Sequence, residues 1–113
     1  MTDTKELIEA AAKACGMPYS RHDEMRGGAV IQEEGSGEWF IWNPLTSQGN
    51  NDDMGCDLMI TVNFYDDSVE AWNDKDGIKM AVFEVQHDNT IKGRRAAVRL
   101  ARTQVAAQMG RAK

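Results

Sequence analysis

Residues 59–86 read MITVNFYDDSVEAWNDKDGIKMAVFEVQ, three runs of strand-type residues broken by two turn signals. In Met59–Tyr65, Ile60, Val62 and Phe64 alternate with Thr61, Asn63 and Tyr65, the period of two that gives a strand one apolar face. Asp66-Asp67 reads as a tight turn into a second strand, Ser68–Trp72, and Asn73–Gly77 (NDKDG) reads as another turn. Ile78–Gln86 then forms a third strand, with Ala81, Phe83 and Val85 on one side. An antiparallel meander between two helical ends is the pattern of an α+β fold.

Toward the N-terminus, Ala29–Glu34 and Glu38–Trp42 read as two more strands joined by Gly35-Ser36-Gly37. In the second, Trp39 and Ile41 point to one side and Phe40 and Trp42 to the other. A strand apolar on both faces is expected in the middle of a sheet, covered by two layers. The alternative is that one aromatic pair is an exposed contact patch. Tyr19–Gly28 is polar and irregular, and a loop is expected there. Asn43-Pro44 ends the aromatic strand, because Pro44 lacks the N–H a ladder needs. Met54 and Leu58 are spaced for a short helix around Asn51–Leu58. Gly55 in its middle costs about 1 kcal/mol relative to alanine.

Two longer helices close the ends. Asp3 or Thr4 can cap the first, and Leu7, Ala11 and Cys15 form its apolar stripe beside Ile8 and Ala12. Gly16 suits the left-handed C′ position and Pro18 prevents resumption. The last helix is expected from about Asn89 to Gly110, capped by Asp88 or Asn89, with Ile91, Val98, Ala101, Val105 and Met109 facing the core. The expected architecture is one domain over residues 1–113: an antiparallel sheet of four to five strands, the N- and C-terminal helices packed on a shared face, and a short central helix.

Composition narrows the function classes. Hydrophobic residues make up 42% and charged residues 27%, which argues against wholesale disorder. No apolar run approaches the roughly 20 residues that span a bilayer, and MTDTKELIEA lacks the apolar segment of a signal peptide. No membrane contact is expected, and the cytoplasm is the expected location. Cys15 and Cys56 read as small buried thiols, since disulfides are rare in a reducing compartment. The net charge of −5 is unevenly spread. From Asp88 onward there are seven basic residues against one acid, and before it six against seventeen.

No reactive constellation emerges from the spacing. Fitting Asp74, Asp76 and Gly77 to a calcium loop puts Trp72 and Phe83 at ligand positions where neither can bind calcium. His22 and His87 are the only histidines and share no ligand spacing. A Cys56–His87 nucleophile pair would need hydrogen-bond contact and a third, orienting group. Cofactors: none are expected. The strongest binding feature is the stripe Lys92, Arg95, Arg99 and Arg102, spaced 3, 4 and 3 along one flank of the last helix. Such a stripe can follow a phosphate backbone, or it can neutralise acidic neighbours within its own fold or lie solvated.

Trp42-Asn43-Pro44-Leu45-Thr46, followed by a Gly/Asn/Asp-rich turn and a short helix, resembles a segment of small bacteriophage and prophage proteins of unknown function, of αβα-sandwich type. The late run Arg94-Arg95-Ala96-Ala97-Val98-Arg99, ending near Met109-Gly110, resembles their closing helix. The resemblance covers about Glu38 to Arg111 and implies a phage origin and a helix–sheet fold, so that the cytoplasm expected above would be that of the host cell. It implies no catalytic residues. Trp42, Asn43 and Pro44 read as a buried aromatic followed by a turn that launches a helix. The function expected is that of an accessory protein without catalysis, acting by binding a phage or host protein. Nucleic-acid binding through the basic helix is the alternative, and opposite charges on one chain also suit a head-to-tail homodimer.

Overall fold

A computed structural model describes residues 4–33, 35–75 and 77–112. The chain runs α1 (Thr4–Ala14), β1 (Tyr19–Asp23), β2 (Gly28–Gln32), β3 (Trp39–Trp42), α2 (Gln48–Asp57), β4 (Ile60–Phe64), β5 (Ser68–Lys75), β6 (Ile78–Gln86) and α3 (Ile91–Arg111). The fold is α+β, but the strands form two three-stranded antiparallel sheets, β1-β2-β3 and β4-β5-β6, not one sheet of four or five. The two long helices do not share a sheet face either. α1 packs on β1 and β2, α3 packs on all three strands of the second sheet, and the helices pack along each other. Each helix carries one apolar stripe wide enough for a sheet and a partner helix, and that removes the need for a common sheet.

Small residues let the helices meet. A Cβ on Gly110 would fall on the Ala10 carbonyl oxygen, and Ala11, Ala14, Ala106 and Ala107 are buried around that crossing. α1 ends in the expected left-handed Gly16 (φ 70°). Its N–H donates to Lys13 O at 3.1 Å and Met17 N–H to Ala12 O at 3.0 Å, the paired bonds of a Schellman motif. The cap expected at Asp3 lies outside the described residues.

The first sheet corrects two expectations. The segment expected as a loop after Tyr19 is strand β1, paired with β2 through Arg21↔Val30 and His22↔Ala29. Its polar sequence suits an edge. Asp23 turns the chain back, accepting Arg26 N–H at 3.1 Å and the Arg26 guanidinium at 2.7 Å. These contacts, with Arg21 beside them, hold its carboxyl down to about 2. The aromatic strand β3 is also an edge, and the strand covered on both faces is β2, where Gly28 through Ile31 are buried. Exposure in β3 changes along the strand, not between faces. Trp39 and Phe40 are 50% and 44% exposed, whereas Trp42 is 2% exposed. Glu33 N–H to Glu38 O closes the hairpin at 3.0 Å. Its turn carries the glycines Gly35 and Gly37, and Glu34 lies outside the described residues.

In the second sheet the meander forms as expected, with Val62↔Ala71 and Ala71↔Phe83 in register. The second turn is shorter than NDKDG, because β5 continues through Lys75 and pairs it with Ile78. Asp76 lies outside the described residues. Opposite Trp72, β6 fits in an extra residue, and Ala81 takes a positive φ of 50°, a bulge of the kind that bends edge strands.

α3 begins two residues later than expected. Thr90 is the N-cap, its hydroxyl accepting Gly93 N–H at 2.9 Å. Asp88 supports it, accepting the Thr90 hydroxyl at 2.7 Å, and these bonds keep its carboxyl below the usual range. Of the expected core stripe, Val98, Ala101 and Val105 are buried, but Ile91 in the first turn is exposed beyond the sheet. Cys56 is exposed on α2 and Cys15 is half-buried, which corrects the reading of both as buried thiols. Among the described residues, no helix is long and apolar enough to cross a membrane.

Candidate binding surfaces on α3 and β6

The turn after Trp42 is built to launch α2. Trp42 fills the core, and Asn43 turns the chain by accepting Leu45 N–H on Oδ1 at 2.9 Å. Its amide donates to Gly27 O at 2.6 Å, which ties the turn to the β1–β2 hairpin. Ser47 then caps α2, accepting Asn50 N–H at 3.1 Å. One turn on, Asn51 is fully buried. Its amide donates to Pro44 O and to Arg99 O, each at 2.9 Å, and its oxygen accepts from Arg102 Nη1 at 3.1 Å. One side chain thus joins the turn, α2 and α3.

That hub divides the basic stripe. Arg99 donates from Nε to Leu45 O at 2.9 Å and from Nη1 to Gln48 Oε1 at 3.1 Å. Arg102 pairs with Asp52 at 2.9 Å and lies against Gly55, where a Cβ would come within 3.2 Å of its Nε. Both arginines therefore hold α2 and the preceding turn against α3. Lys92 and Arg95 are exposed and have no side-chain partner among the described residues. Arg94 donates to Asn89 Oδ1 at 2.7 Å. Sequence reasoning groups the four cations of the stripe and misses Asn51. The signal was present, since Asn51, Met54 and Leu58 fall at i, i+3 and i+7, which puts an asparagine on the buried face.

Beside the free end of the stripe, Phe64 at the end of β4 is 57% exposed. It and Val98 lie in a cleft of about 220 Å³, with Arg94, Arg95 and the clamped Arg102 on the α3 side and Gln48 and Asp52 on the α2 side. The sequence pattern assigns Phe64 to the core face. It escapes burial because it stands at the strand's last position.

The second exposed surface is strand β6, a nine-residue edge with no neighbouring strand on its far side among the described residues. Ile78, Met80 and Val82 are 62%, 48% and 48% exposed along it. On the outer sheet face, Lys79 covers Trp72 at 3.9 Å from the ring centroid and reaches Glu70 at 3.8 Å. Arg26 covers Trp39 of the first sheet more loosely, at 5.0 Å.

The Cys56–His87 pair is not assembled. Cys56 precedes the start of β4, whereas His87 donates its N–H to Asp67 O beyond the other end. A five-residue strand rising about 3.3 Å per residue lies between them. Among the described residues, no three His, Cys, Asp or Glu side chains converge as metal ligands. No family model, no curated protein and no solved structure matches this chain.

Proposed function

We propose that this chain is a phage-encoded accessory protein that acts without catalysis in the host cytoplasm, by binding another protein along strand β6. The observation that carries this reading is the open edge of β6, where Ile78, Met80 and Val82 are exposed and no further strand pairs among the described residues. An extended segment of a partner can add a strand there, with the backbone supplying affinity and the flanking side chains supplying selectivity. The Ala81 bulge and Lys79 limit indiscriminate pairing. The WNPL segment and the closing helix support the phage assignment. A head-to-tail homodimer uses the same edge if the partner is a second copy.

The test is photocrosslinking in the cell of origin, with the crosslinker placed at Val82 and, in a separate variant, at Arg95. The reading expects a protein adduct from Val82. Product at twice the chain mass would identify the partner as a second copy. An adduct with nucleic acid from Arg95, and none from Val82, would overturn the reading.

A further inference from the structure

We infer that the cleft between α2, β4 and the first half of α3 is a binding site for single-stranded nucleic acid, with one base stacked on Phe64 and the flanking phosphates held by Arg95 and Lys92. This surface is separate from β6, so the inference does not depend on the protein-binding reading. A ring left half-exposed beside guanidinium groups is the combination that single strands use, because every base offers a stacking face and every nucleotide a charge. Phe64 and Val98 supply the apolar surface, and Arg94 and Arg95 border it. Lys92 lies one turn before Arg95 on the same flank, exposed and without a partner among the described residues.

The geometry also selects against a duplex. Arg99 and Arg102, which would extend the cationic track, are held by Leu45, Gln48, Asn51 and Asp52. Asp52 at the α2 wall is paired with Arg102, so that side of the cleft offers no uncommitted cation to a second strand. What remains is short: two cations without a partner among the described residues, with Arg94 as a third if it leaves Asn89. For a single strand the slope of log affinity against log salt is about −0.7 per phosphate neutralised, so a slope of roughly −1.5 to −2 is expected.

The experiment is fluorescence anisotropy of labelled dT12, U12 and a 12-base-pair duplex with the full chain, at about 20 mM and 150 mM salt. Both single strands should bind at tens of micromolar or tighter in low salt, and the duplex should bind more weakly. The deoxy and ribo arms show which single strand is preferred. Phe64→Ala should weaken binding about tenfold, within the range of one base–aromatic stack. Phe64→Trp should restore it, with tryptophan emission changing on binding. Lys92→Gln with Arg95→Gln should lower the salt slope by about 1.4. Circular dichroism checks that each variant is folded. No binding at 100 μM protein in low salt would overturn the inference. So would duplex binding as strong as single-strand binding with no effect of Phe64→Ala. Equal binding of poly-glutamate, with the same Phe64 dependence, would overturn it in favour of an acidic protein segment.

Discussion

The first half of the basic stripe on α3 and its second half have the same residue chemistry and different fates. Lys92 and Arg95 are exposed and without a partner among the described residues, while Arg99 and Arg102 are drawn onto the turn before α2 and onto α2 itself. The difference comes from what lies opposite. Where the close contact between α2 and α3 ends, Lys92 and Arg95 have no hydrogen-bonding partner among the described residues, and Arg95 borders the Phe64 cleft. Where α2 covers α3, backbone carbonyls and a buried asparagine need donors, and arginine supplies several in a fixed plane. A run of charge in a sequence can thus be part architecture and part surface, and the division falls at an element boundary.

The most severe way to break the comparison is Asn51→Ala. It removes two donors and an acceptor from a fully buried site, and should cost about 3 kcal/mol in denaturant unfolding because the Pro44 and Arg99 carbonyls and Arg102 lose their partner. Arg102→Gln tests the clamped half alone. Its ion pair with half-exposed Asp52 is worth little, but its bond to Asn51 is made in the interior. A loss of about 1–2 kcal/mol is expected.

Asp23 offers a comparison from the first sheet, an acid held by two arginines at a turn and not between elements. Its carboxyl is lowered from 3.8 to about 2, first by the Arg26 side-chain bond. A lowered folded value means that its contribution is present above the ordinary carboxylate range and lost as pH falls through about 2. Thermal melts of Asp23→Asn should therefore lose part of the stability fall that the parent shows between about pH 4 and pH 2.

Gly55→Ala sharpens the comparison further. Helix propensity alone promises a gain of about 1 kcal/mol. With Arg102 Nε 3.2 Å from the new Cβ, most of that gain should vanish. It should reappear in the background of Arg102→Gln, which a double-mutant cycle can measure. The smallest effect is expected at the free half. Lys92→Gln with Arg95→Gln should change unfolding free energy by no more than about 0.5 kcal/mol, while weakening oligonucleotide binding as described above.

Much of the local structure was legible from residue pattern. The alternation from Ile60 to Asn63 and from Phe83 to Gln86, the Asp66-Asp67 turn, the Gly16 helix end and the buried Trp42 followed by a helix-launching turn are all found. The candidate site was legible as a list of cations but not as a surface. Nothing in the spacing of Lys92, Arg95, Arg99 and Arg102 shows which of them faces α2. β1 does not read as a strand because its residues are polar, as an edge strand permits. β3 reads as a central strand because Trp39, Phe40, Ile41 and Trp42 are apolar on both faces, although of these only Trp42 is buried.

The sequence by itself determined the helices and every strand except β1, since periodicity, caps and turn residues act within a few positions along the chain. It also determined the charge asymmetry between the body and the last helix. Only the tertiary structure decided that six strands divide into two sheets, that each long helix covers its own sheet, and that Phe64 is left beside free cations while Asn51 is enclosed. Those outcomes depend on which apolar faces meet across long chain separations and on which buried polar groups then need partners, and no local pattern records either.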